Sequence, residues 1–138
     1  MIRKEPKLIQ NFDVIGIGNA IVDVLMYTSE TFIESMSIKK GNMTLINENQ
    51  AEEIYSSMKP SLQTSGGSAA NTLAGITQLG GKSGFIGSVK NDALGEVFTS
   101  EIIANGTFFN PLQRKEGPST ARCLILVTPD AERTMCTY

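Results

Sequence analysis

The stretch from Ser65 to Gly95 constrains this chain more than any other. It reads Ser65-Gly66-Gly67-Ser68-Ala69-Ala70-Asn71, then a helical run, then Gly80-Gly81, then Phe85-Ile86-Gly87-Ser88-Val89 and Asp92-Ala93-Leu94-Gly95. A doubled glycine before a helix lets the chain turn tightly and lets a ligand approach the backbone. The unpaired N–H groups of the first helical turn then face that ligand. Ser68 is the expected N-cap, and Asn71 can both donate to and accept from a pair of sugar hydroxyls. Such a helix end also attracts anions, so spacing alone leaves phosphate and polyol open. A reading without a ligand also stands: Ala69, Ala70, Ala74 and Gly75 are small enough to let the helix pack closely on a sheet.

Strands and helices alternate around this stretch. Phe12 to Gly18 reads as a buried strand, and the β-branched and aromatic run Val22 to Thr28 as a second. Thr31 to Met36 is a short helical turn and Met43 to Ile46 a short strand. Asn47 or Asn49 caps a helix with the stripe Ala51, Ile54, Tyr55 and Met58, ended by Pro60. Ser61 to Ser65 reads as a polar link. The helix from Ser68 to Leu79 turns Ala69, Leu73, Ile76 and Leu79 inward, with Gly80 or Gly81 as its left-handed cap. Phe85 to Val89 is a core strand. Asp92 caps a helix that faces Leu94, Val97, Phe98, Ile102 and Ile103 inward and stops at Asn105-Gly106. Thr107 to Phe109 is a short third core strand, and residues 110–118 form a loop. Thr120 to Thr128 and Arg133 to Tyr138 read as a hairpin. With Asp130-Ala131 as the turn, Cys123 falls opposite Tyr138 and Cys136 opposite Ile125. The hairpin is expected to join the strands at 22–28 and 43–46 in one small sheet, and residues 1–11 are a polar lead-in.

Composition excludes several classes. A length of 138 residues predicts one domain. The net charge of −2 gives no pull toward nucleic acid or anionic membranes. No apolar run reaches the roughly 18 residues of a membrane span. The polar N-terminus lacks the apolar core of a signal peptide. The two cysteines form no metal-spaced motif, which fits a reduced, cytoplasmic setting. No histidine is present, so a Ser-His or Cys-His nucleophile pair is excluded. Gly16-Ile17-Gly18-Asn19-Ala20-Ile21 leaves a dinucleotide-binding turn open, but the third glycine is missing and Ile21 stands where backbone must approach a pyrophosphate.

The run Gly66-Gly67-Ser68-Ala69-Ala70-Asn71-Thr72, with Leu79-Gly80 and the segment Phe85 to Gly95, resembles the first signature of the ribokinase-like (PfkB) carbohydrate kinases. Within that family it is most similar to adenosine-kinase-like members. Leu73 stands where a small residue is commoner and Lys90 where glycine is usual; large apolar residues near Leu73 are tolerated in adenosine kinases. The resemblance implies an α/β chain with part of the ribokinase-like fold, a parallel core sheet with flanking helices plus a small β lid. On that reading residues 1–138 are a single truncated kinase domain, with lid strands at about 22–28, 43–46 and 120–138 and core at about 12–21 and 48–110.

The resemblance also carries a sugar-binding carboxylate onto Asp23, at the end of the first core strand, where it would accept from two vicinal hydroxyls. A plain turn or edge carboxylate is the bland reading of the same residue. Gly41, in Lys39-Lys40-Gly41-Asn42-Met43-Thr44, would allow close approach to the sugar, while the lysines read as a solvated face. Asn19, Gly66, Gly67 and Asn71 complete the implied acceptor set, and no catalytic residue is carried over. ATP and magnesium are implied for the full-length family, but its glycine-rich anion hole and general-base aspartate match nothing in these residues. Two functions follow. One is the acceptor-binding part of an ATP-dependent sugar or nucleoside kinase, inactive alone and working with a complementing C-terminal polypeptide. The other is a non-enzymatic oligomeric remnant without a ligand. A bare sheet edge predicts a homo-oligomer, most simply a dimer.

Overall fold

A computed structural model describes residues 11–111 and 113–138, so nearly all of the polar lead-in lies outside the described residues. In chain order the elements are β1 (Val14–Ile17), β2 (Ile21–Tyr27), α1 (Glu30–Ser35), β3 (Met43–Leu45), α2 (Glu48–Ser57), β4 (Leu62–Gly66), α3 (Ser68–Gln78), β5 (Ser83–Ile86), α4 (Ala93–Ala104), β6 (Ala121–Val127) and β7 (Arg133–Thr137). β1 and β5 pair in parallel. A five-stranded mixed sheet runs β3-β7-β6-β2-β4, with β2·β6 and β3·β7 parallel and the other two pairings antiparallel.

Period-two alternation sets which face of the larger sheet is buried. Val22, Val24 and Met26 of β2 point to the core beside Leu124 and Leu126 of β6 and Cys136 of β7. Ala51 and Ile54 of α2 are buried as well. Beneath β5 the rings of Phe85, Phe98 and Phe109 meet with centroids 5.4 to 5.5 Å apart. The helix starts follow local chemistry. Asn47 and Gln50 form a reciprocal capping box on α2, and Asp92 caps α4 through the Gly95 N–H. Gly80 and Gly106, both at positive φ, follow α3 and α4.

Several sequence expectations are corrected. The segment 61–65 is not a link: Leu62–Gly66 is β4, because its ladder with β2 outweighs the weak strand propensity of Gln63, Thr64 and Ser65. The first strand is shorter than expected and not buried, with Ile17 76% exposed. Leu73 packs on it at Gly16; on the other face the Phe12 ring lies against Gly84, while Ile15 and Ile17 stay exposed. β5 starts earlier and ends at Ile86, and the segment 107–109 makes only an isolated bridge, Gly84 to Phe108. Gly67, not Ser68, is the N-cap of α3, with no side-chain cap. Leu79, 90% exposed, falls past the end of that helix, and Ile103 is exposed too.

Three further corrections concern the lid. The hairpin is one residue out of the expected register: Cys123 faces Thr137 and Cys136 faces Leu124, because the connection closes with Ala131 at φ +65°. Both cysteines are free. Asp23 does not end the first core strand but lies within β2. Lys40 is not simply solvated, since its Nζ bonds Glu30 and Asp130 at 2.7 and 2.6 Å. The dinucleotide reading falls as well: the Gly16–Gly18 segment leads into a strand, whereas a pyrophosphate site needs the start of a helix. No helix among the described residues is long and apolar enough to cross a membrane.

Phe98→Ala is expected to lower stability by about 3–5 kcal/mol, because the ring is fully buried among two others. Leu79→Ser should change it by no more than about 0.5 kcal/mol. Urea unfolding midpoints check both.

Candidate functional site

Two loops that end strands meet at the site. β1 ends at Ile17, and Gly18-Asn19-Ala20 turns the chain into β2. β4 runs antiparallel to β2, pairing Ile21 with Gly66 and Asp23 with Thr64. Directly after this ladder Gly67 bends at φ +96° and α3 begins. A side chain at Gly67 would press against the Asn19 carbonyl oxygen, 3.0 Å from an added Cβ. The first bond of the helix joins the Asn71 N–H to Gly67 O at 2.9 Å. The Ser68, Ala69 and Ala70 N–H groups precede it and form the positive end of the helix.

Asp23 leans over the bare backbone of Gly66, and an added methyl there would occupy the space of the carboxylate. Among the described residues no hydrogen-bond donor reaches that carboxylate, and burial pushes its pKa up. Across the ladder stands Cys123, whose thiol is pushed up by burial, with the neighbouring Asp23 adding to the shift, so it is a poor nucleophile at neutral pH. Asp92 behaves in the opposite way. Burial opposes its ionisation, yet bonds from Thr120 N, Thr120 Oγ1 and Gly95 N, at 2.9, 2.7 and 2.8 Å, hold its pKa below the ordinary value. It ties the start of α4 to the start of β6.

A cleft of about 660 Å³ opens at the carboxyl ends of β1 and β5. Ligands of open α/β sheets bind at that end of parallel strands. Asn19, Ser88, Arg114, Ser119 and Tyr138 line the cleft together with Ile17 and Ile86.

The expected acceptor residues are thus distributed as follows. Asp23, Gly66, Gly67 and Asn19 meet through direct contacts. Asn71 is exposed in the first turn of α3, with no side-chain hydrogen bond among the described residues. Gly41 is not brought to this group. It lies at the far, turn end of the hairpin, where its N–H donates to Thr134 Oγ1 at 2.9 Å and its α-carbon abuts Glu132. Sequence reasoning missed Ser88, Arg114 and Ser119. Arg114 sits in a loop without periodicity, so only its charge marked it.

The family described as pfkB family carbohydrate kinase matches residues 33–138. A fructokinase of Solanum tuberosum is 31% identical over 77 residues, covering 56% of this chain and 24% of that protein. A fructokinase of Escherichia coli is 35% identical over 69 residues, or 50% of this chain and 22% of that one. Among solved structures, a probable sugar kinase from Rhizobium etli superposes with TM-score 0.79 and 46% identity, covering 92% of this chain and 38% of that one. An adenosine kinase from Sinorhizobium meliloti superposes with TM-score 0.76 and 49% identity, covering 92% and 39%. The chain therefore spans about a quarter of the matched fructokinases and about two fifths of the matched kinase structures.

Gly66→Ala is expected to destabilise by about 1–3 kcal/mol, and the cost should shrink when Asp23→Ala is added. Additive effects in urea unfolding would contradict the contact. Because the folded pKa of Asp23 is raised, ionising it weakens the fold as pH rises through that value. Asp23→Asn should therefore raise the melting temperature at neutral pH, with the gain vanishing below about pH 4.

Proposed function

Because the chain belongs to the pfkB family of carbohydrate kinases, we propose that it forms the acceptor-binding part of an ATP-dependent sugar or nucleoside kinase. The observation that carries this reading is the Asp23 carboxylate: it is partly desolvated, lacks a donor among the described residues, and rests against a glycine that leaves room for it. Vicinal hydroxyls would supply the missing donors as charge-assisted bonds, and these are stronger than neutral ones. Gly66 and Gly67 let the acceptor approach the backbone. Asn19 and Asn71 add amide groups that both donate and accept. The role of these residues is to bind and orient the hydroxymethyl group and to displace water from Asp23.

ATP with magnesium supplies the phosphoryl group in such enzymes. Among the described residues no group of three His, Cys, Asp or Glu side chains converges to hold a metal. We therefore assign the donor side and the general base to the rest of the family fold, carried by the same or another polypeptide. Phosphoryl transfer needs positioned donors around the transferred group, which acceptor binding does not provide. The open apolar face of β1 and β5 supports association, either with that complementing part or with a second copy.

Calorimetry with adenosine and ribose tests acceptor binding. At least one should bind, and Asp23→Ala should abolish binding while leaving the chain folded. An unmodified chain that binds neither would overturn the reading in favour of a ligand-free remnant. Light scattering at micromolar concentration should show a species larger than the monomer; a clean monomer would contradict self-association.

A further inference from the structure

We propose that the Arg114 corner of the cleft is an anion subsite, and that the acceptor it serves carries a phosphate or carboxylate besides its hydroxyls. The inference names a substrate class for the acceptor-binding reading and rests on it. Arg114 lies in the loop between α4 and β6, and two backbone bonds clamp it just beyond β5. Its N–H donates to Val89 O at 3.0 Å, and its carbonyl accepts from Asn91 N at 2.8 Å. Its Nε donates to Ser88 Oγ at 3.0 Å. The two Nη groups of the planar fork have no hydrogen-bond acceptor and no carboxylate among the described residues.

The neighbours extend the same chemistry. Ser88, having accepted from Nε, keeps its own proton to donate. Ser119 Oγ lines the same cleft, is buried and has no hydrogen-bond partner. Lys90 adds positive charge nearby, its Nζ held on Gly117 O at 3.0 Å. Two carboxylates on this side are already engaged: Glu48 accepts from the Ser119 N–H at 2.9 Å, and Asp92 from Thr120 N and Oγ1 at 2.9 and 2.7 Å. The corner is therefore a set of donors whose neighbouring carboxylates are already hydrogen-bonded. Such a fork matches the paired oxygens of a carboxylate or phosphate.

Asn19 connects this corner with the acid end of the site, since it lines the cleft and its carbonyl abuts the Gly67 bend. The two ends ask for opposite chemistry. Asp23 needs hydroxyl donors, and Arg114 needs acceptor oxygens. A neutral sugar satisfies the first end only.

Calorimetry on the whole chain compares ribose, ribose 1-phosphate and ribonate. The two anions should bind at least about tenfold more tightly than ribose. That advantage should shrink with added salt. It should vanish in Arg114→Gln, judged as the ratio of anion to ribose affinity within that variant. A gain confined to one anion assigns the subsite to that anion. Equal affinity for all three ligands, or a preference that survives Arg114→Gln, overturns the inference. The Arg114 Nε–H resonance of the unmodified chain is a readout independent of any variant. Inorganic phosphate alone should shift it, and a resonance that does not move counts against the subsite. Failure of both ribose and adenosine to bind at every concentration would instead remove the acceptor reading, and the phosphate titration would then judge the Arg114 corner by itself.

Discussion

The ladder between β2 and β4 is the constraint on which the site depends. β2 leaves the Asn19 loop, β4 returns beside it in the opposite direction, and the strand ends in the Gly67 bend. Pairing Ile21 with Gly66 places the Asp23 carboxylate over the one neighbouring residue that has no side chain to exclude it. A slip of one residue would turn Asp23 to the core face in place of Val22 and Val24, since strand side chains alternate. The start of α3 would lose its place in the same step, because it follows the ladder without an intervening loop.

The face on which Asp23 stands explains why its carboxylate is desolvated without being paired. Register places Leu25 beside Leu62, and puts Tyr27, Met43 and Leu45 on that same side of the five-stranded sheet. Tyr27, Met43, Leu45 and Leu62 are between 54 and 77% exposed. The Asp23 carboxylate on this face lies against the Gly66 backbone and beside Cys123, and so loses water without gaining a counter-ion. The energetic cost has the opposite sign from that of Asp92, whose hydrogen bonds to Thr120 and Gly95 favour the charged form. A fold that accepts this cost at one position breaks the general rule of polar satisfaction there, which is the pattern expected of a binding site.

What could be read from the sequence was what local chemistry decides. A cap at Asn47 or Asn49 (of which the structure uses Asn47), the Asp92 cap and the buried stripe of α2 need only a few neighbouring residues. The doubled glycine marked the bend correctly for the same reason. β4 escaped because its residues gain strand structure only from a partner far away in the chain. The hairpin register escaped because Ala131 carries no sign of its left-handed backbone. Burial of β1 was overestimated because an apolar strand predicts a cover, and the sequence pattern does not say which element supplies it. Arg114 stayed hidden for a related reason: its Cα is placed by tertiary backbone bonds to Val89 and Asn91.

The exposed side of β1 and β5 bears on the cleft as well as on assembly. Parallel strands in α/β folds are covered on both faces. Here α3 and the aromatic cluster cover one, while Ile15, Ile17 and Ile86 share the other and remain exposed. Ile17 and Ile86 are partners in register, and both line the cleft. The residues that follow them, Gly18-Asn19 and Gly87-Ser88, line it too. Any element that covers this face must order the strand ends that shape the cleft. A ligand that holds Asn19 and Ser88 would in turn hold the strand ends that carry this face. Two events that favour the same ordered state strengthen each other by mass action. On the proposed acceptor reading, affinity and cover of this face would be linked, because Ile17 and Ile86 are at once exposed surface and lining of the cleft.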